Sequence, residues 1–194
     1  MPQSILKSSI IDDPMTPRRP RVGISRCLVG DEVRYDGTHR LDETVIALLG
    51  PYVEWVPVCP EVEIGMGTPR EPIHLVASPD GVPSLRERVR LLGITSREDW
   101  TERMHAWARD RARELAQLDL SGYVFKARSP SCGIDEVVVH AIDGERRGRG
   151  LFAQALIEAL PDLPVTDEAA LADAATRARF LERVLRHHTD GPVR

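Results

Sequence analysis

Two textures alternate along the apolar positions of this 194-residue chain. One consists of short runs dense in β-branched and aromatic residues: Arg21–Ser25 (RVGIS), Val53–Val58 (VEWVPV), Gly122–Lys126 (GYVFK) and Val137–His140 (VVVH). Runs of this length and composition, bounded by turn formers, predict strands. The other texture has helical spacing. Asp42–Leu49 predicts a short helix stopped at Gly50-Pro51. Trp100, Met104, Trp107, Arg111, Leu115 and Leu118 recur at helical intervals behind a capping box of Ser96 and Asp99, which predicts a long helix with its tryptophan stripe in the core. Phe152–Leu160 predicts another helix after the glycines at 148 and 150. A last helix is expected from near Thr166, with Asp167 and Glu168 in its first turn, to His187 and His188. Ile73–Val89 reads as a β-hairpin over the turn Ser78-Pro79-Asp80-Gly81, placed to act as a partial lid.

Strands alternating with helices predict an α/β fold: a mainly parallel sheet with helices on both faces, in a single domain with a β-hairpin insertion. The expected organisation is a disordered leader over 1–20, the domain over 21–188 and a tail over 189–194. Apolar residues at 42% and charged residues at 29% suit a globular domain with a sizeable core. A net charge of −4 gives no global basic field for nucleic acid. No stretch reaches the roughly 18–20 apolar residues of a membrane span. The first twenty residues, broken by Asp12 and Asp13, lack the apolar core of a signal peptide, so a cytoplasmic location is expected.

Three cysteines are odd in number and too few for a disulfide scaffold. Each one, Cys27, Cys59 and Cys132, lies just past a predicted strand. Ligands of open α/β sheets bind beyond the carboxyl ends of the strands, so neighbouring strands would bring the three thiols to one place. The plainer alternative is three buried apolar cysteines. Three thiolates suit zinc, copper(I) or an iron–sulfur cluster. Structural zinc sites usually take four protein ligands, often with paired C-x₂-C spacing, and that pair is missing here. The six histidines follow no ligand spacing, although His39 and His74 are candidates to reach such a site. Three thiolates without a fourth ligand leave a metal open to substrate.

The strings GISRCLVGDEVRYDG (Gly23–Gly37), VPVCPEVEIGMGTPR (Val56–Arg70) and KARSPSCG (Lys126–Gly133) together resemble the thiouracil desulfidase family, formerly a domain of unknown function. The resemblance spans about Arg21 to Val184, and the stretch Gly150–Val184, which opens GLFAQALIEALPDLPVTDEAA, looks like that family's two-domain branch. It implies a 4Fe–4S cluster on Cys27, Cys59 and Cys132 and a non-redox, hydrolytic desulfidation of a thiolated pyrimidine such as thiouracil, giving uracil and sulfide. The alternatives are the same chemistry on thiouridine in tRNA, or a non-catalytic cluster- or zinc-binding interaction domain.

Within that frame Glu61, two residues past Cys59, is the candidate acid/base; its other reading is a helix cap or a partner for Arg70. Ser129 is the second catalytic candidate. With Ser131, a substrate-binding candidate, it flanks Pro130 beside Cys132, where both hydroxyls are placed to bond the pyrimidine or the cluster sulfurs; turn chemistry also explains SPSCG. Arg34, Tyr35 and Asp36 are placed to read and stack on a pyrimidine, or else to make the turn before Gly37. Lys126 would neutralise an anionic cluster or stay solvated. The run Arg146-Arg147-Gly148-Arg149-Gly150 is expected to open a helix N-terminus suited to phosphate, the one local hint of RNA. The oligomeric state stays open.

Overall fold

The computed structural model describes residues 18–78 and 89–190. Most of the expected leader, and the tail from 191 on, lie outside the described residues. Four strands, β1 (Arg21–Ser25), β2 (Glu54–Val58), β5 (Leu120–Phe125) and β8 (Val165–Asp167), form a wholly parallel sheet in the order β2-β1-β5-β8. The strands leading to the three cysteines are therefore immediate neighbours, with β1 between the other two. A second, mixed sheet has the order β4-β3-β6-β7, from β3 (Ile73–Ala77), β4 (Val89–Gly93), β6 (Val137–Ala141) and β7 (Gly144–Gly148).

Among the described residues, five helices surround the sheets: α1 (Glu43–Leu49), α2 (Pro60–Glu63), α3 (Thr101–Gln117), α4 (Leu151–Ala159) and α5 (Ala174–Asp190). Strand β5 is buried along its whole length, as expected of a parallel strand covered on both faces. Its alternate residues serve two cores. Tyr123 and Phe125 pack with Met104 and Leu115 of α3, Phe152 of α4, and Leu75 and Leu91 of the second sheet. Val124 points the other way and joins Val22, Ile24, Val45 of α1, and Phe180 and Val184 of α5. Helices thus cover both faces of the parallel sheet. The tryptophan stripe lies at the edge of the core: Trp100, at the N-cap of α3, and Trp107 are half-buried and pack against the first cluster, whose buried α3 members include Met104 and Leu115.

Four local expectations are corrected. The capping box at α3 does not form: Ser96 Oγ accepts from Glu98 N at 3.0 Å and bonds Glu71, while Asp99 Oδ1 receives Thr101 N at 3.0 Å. The last helix does not begin near Thr166. That residue lies in β8, Asp167 Oδ1 accepts from Ala170 N at 2.8 Å to start a short 3₁₀ turn, and α5 begins after Asp173. The hairpin pairs Ile73–Ala77 with Val89–Gly93, so its return strand starts where the expected one ended. Its turn at Pro79-Asp80-Gly81, and any lid formed there, lie outside the described residues. The arginine run 146–150 is mostly strand: β7 pairs antiparallel with β6, and charged residues on this terminal strand discourage edge-to-edge pairing.

Candidate functional site

A cavity of about 310 Å³ opens at the carboxyl ends of β1, β2 and β5, and all three cysteines line it. Cys27 sits half-buried in the 3₁₀ turn that ends β1. Cys59 is the residue between β2 and α2, and it is buried. Its amide donates to Glu63 Oε1 at 3.1 Å and its thiol faces Val33 O at 3.8 Å. Cys132 is buried in the loop after β5, where its amide and that of Ser131 both donate to Ser129 Oγ, at 3.1 and 3.2 Å. Three neighbouring strands ending at one level deliver three side chains that are far apart in sequence.

Burial raises all three thiols. Cys27 is pushed up to about 11 by desolvation, with the neighbouring Cys59 adding to it. Desolvation also raises Cys59, and it raises Cys132 further, against a hydrogen bond with Ser25 that pulls the other way. Such thiols hold their protons at neutral pH. Among the described residues no three His, Cys, Asp or Glu side chains gather closely enough to hold a single metal ion.

Glu61 also lines the cavity. One carboxylate oxygen, Oε1, accepts from Ser131 Oγ at 2.9 Å; the other, Oε2, accepts from Arg70 Nε at 2.9 Å and forms an ion pair with Arg70 Nη2. Ser131 is fully buried and stands behind Glu61, outside the cavity lining. Ser129 lines the cavity while its oxygen holds the Cys132 loop. Arg34 and Tyr35 lie at the mouth, the guanidinium carbon 5.3 Å from the ring centroid. Asp36 does not line the cavity: its Oδ1 accepts from Thr38 N at 3.1 Å and Thr38 Oγ1 at 2.6 Å, closing the turn before Gly37. Lys126 lines the cavity with its ammonium paired to Glu168. His39 and His74 are not among the lining residues; His74 stacks near His140, ring centroids 5.2 Å apart.

The N-terminus of α4 is not open to phosphate. Its first amides are taken by the Cys132 loop: Leu151 N donates to Pro130 O at 3.1 Å, Phe152 N to Ser131 O at 3.0 Å. The arginines ahead of it are engaged too, Arg146 with Asp143, Arg147 with Glu136 and Arg149 Nε with Ile134 O. The positive end of the α4 dipole is directed at the Cys132 loop instead.

Sequence reasoning passed over Ser25, Glu168 and the full part played by Arg70. Ser25 Oγ accepts from Lys126 N at 2.8 Å, and Glu168 Oε2 accepts from Ala127 N at 2.7 Å. Nothing in their local pattern marks them, since each acts on a loop distant in sequence. Arg26, Arg40 and Arg128 join Arg34, Arg70 and Lys126 in the lining, with Glu61 as its carboxylate; Arg26, Arg34, Arg70 and Lys126 are paired with Asp31, Asp36, Glu61 and Glu168.

A model of the 2-thiouracil desulfurase family matches residues 22–168. The protein YbbK of Bacillus subtilis (strain 168) is 31% identical over 137 residues, 70% of this chain and 89% of its own length. Among solved structures, the 4Fe-4S-dependent thiouracil desulfidase TudS is similar in fold, with a TM-score of 0.61 at 23% identity over 83% of this chain and 99% of that one. No helix among the described residues is long and apolar enough to cross a membrane.

Proposed function

The chain belongs to the 2-thiouracil desulfurase family, and on that premise we propose that it removes sulfur hydrolytically from a free thiolated pyrimidine such as thiouracil. One observation carries the reading: three thiols and the Glu61 carboxylate meet on one cavity at the ends of three adjacent parallel strands. The donor set fits a 4Fe–4S cluster on Cys27, Cys59 and Cys132. Thiolates are the ligands such clusters take, and all three line one cavity. Arg40 and Arg128, beside the four paired cations of the lining, offset part of the negative charge of thiolates and cluster. With three protein ligands, the cluster would supply an electrophilic iron that takes the thiocarbonyl sulfur and polarises the C=S bond.

The reaction balances without electrons: thiocarbonyl plus water gives carbonyl plus hydrogen sulfide. A C–O bond forms from water and the C–S bond breaks. Glu61 takes a proton from the attacking water and returns it to the departing sulfur. Arg34 donates hydrogen bonds to the pyrimidine, and Tyr35, exposed at the mouth, stacks on it. Lys126 holds positive charge beside the thiolates. Ser129 lies at the cavity with an O–H able to donate, while Ser131 orients Glu61 and Asp36 shapes the Arg34–Tyr35 turn. The engaged arginines at 146–149 favour a free base over thiouridine in tRNA. The working unit is 21–188, acting in the cytoplasm.

Protein purified without oxygen and assayed for iron and acid-labile sulfide tests the cofactor. The same preparation incubated with 2-thiouracil should release uracil and sulfide in equal amounts. Iron-loaded protein that releases neither overturns the reading.

A further inference from the structure

We propose that Arg70 is the positioning residue for Glu61, fixing that carboxylate relative to the loop that carries Arg34 and Tyr35. The inference rests on the acid–base role given to Glu61 above. Arg70 is among the most enclosed charged side chains of the site, 5% exposed. Each nitrogen of its guanidinium is engaged. Nε and Nη2 both bind Glu61 Oε2; Nη2 also donates to Val33 O at 3.0 Å, and Nη1 to Gly67 O at 2.8 Å. Its backbone amide donates to Tyr35 O at 2.9 Å. One residue therefore ties the turn after α2 to both ends of the 33–35 segment.

The opposite oxygen of Glu61 receives Ser131 Oγ at 2.9 Å, so the carboxylate is held from two sides and cannot rotate freely. Val33 O is shared, facing the Cys59 thiol at 3.8 Å as well as Arg70. Arg70 Nη2 is thus a donor to that carbonyl alongside the thiol and ties Glu61 to Val33. A lysine offers the charge but not the planar fork that reaches Glu61 and Val33 together. Misplacing a reacting group by about 1 Å can cost on the order of 100-fold in rate.

The test compares Arg70→Ala and Arg70→Lys in iron-loaded protein, each alone and combined with Glu61→Gln, reading iron content, kcat and KM with 2-thiouracil. Expected for Arg70→Ala are retained iron, a kcat lower by about 10–100-fold with a smaller change in KM, and partial recovery of kcat with added guanidinium ion. Arg70→Lys should resemble Arg70→Ala. On the Glu61→Gln background the loss should shrink to about threefold or less, because the group Arg70 acts through is gone. An equal fold-loss in both backgrounds, or iron lost from both Arg70 variants, overturns this inference alone. Unchanged turnover in Glu61→Gln by itself overturns the acid–base role and the inference together.

Discussion

Gly23 of β1 and Tyr123 of β5 are partners across the parallel sheet, and the tyrosine ring occupies the place a Cβ on Gly23 would take, with its Cδ2 and Cε2 far inside contact distance of that point. The ring is fully buried and wedged against Phe125 and Phe152, with centroids 4.1 and 5.8 Å away. Gly23→Ala should therefore destabilise the protein by about 1–3 kcal/mol, the usual cost of overpacking a filled core. Chemical denaturation measures it, and an unchanged midpoint would mean the ring moves aside without cost.

Replacing any one of Cys27, Cys59 and Cys132 by Ser should abolish stable iron binding. A hydroxyl is a harder ligand than a thiol and ionises far less readily. Iron and sulfide content of each variant, prepared without oxygen, checks this. A variant that keeps its full complement removes that cysteine from the ligand set.

Glu61→Gln should keep the cluster and lose turnover by about 10²–10⁴-fold, the span typical of a general acid/base. Glutamine retains the size and an oxygen for Ser131, but it takes no proton from water. Iron content and sulfide release on one preparation separate the cases. Loss of iron would make Glu61 a support for the Cys59 loop.

Glu71 supplies the pH-dependent case. Hydrogen bonds from the Ser96 hydroxyl, the Ser96 amide and the Thr95 amide hold its carboxyl below the ordinary carboxylate range. A depressed carboxyl contributes stability above its unfolded pKa and loses it as pH falls through the folded value. Glu71→Gln should then be less stable than the parent at neutral pH, with the difference closing below about pH 4. Melting temperatures of both proteins across that range decide it. A difference that widens in acid contradicts the assignment.

The strands that carry the site were legible because each is a run of β-branched and aromatic residues ending at a cysteine. Arg21–Ser25 matches β1 residue for residue, and β2, β5 and β6 fall within two residues of their expected bounds. Strand β7 was hidden because Gly-Glu-Arg-Arg-Gly has no apolar face; its pairing with β6 alone makes it a strand. Strand β8 has three residues, and its Thr166-Asp167, followed by Glu168, mimics a helix start. Three cysteines past three strands announced the cavity. The Glu61–Arg70 pair was one of the two readings offered for Glu61, and it forms; the reach of Arg70 to Val33 and the hold of Glu168 on the Lys126 loop could not be read locally, since their partners are brought near only by the tertiary fold.

The anchoring of the Cys132 loop has a consequence for biosynthesis. Its first residues are pinned from both directions along the chain, by Ser25 upstream and Glu168 downstream. A ribosome releases the polypeptide from its N-terminus, so all three thiols leave the exit tunnel before the downstream anchor does. During that interval Lys126 lacks its counter-charge and the loop lacks one of its two fastenings. The loop that brings Cys132 to the cavity therefore gains its second fastening only once Glu168 has emerged.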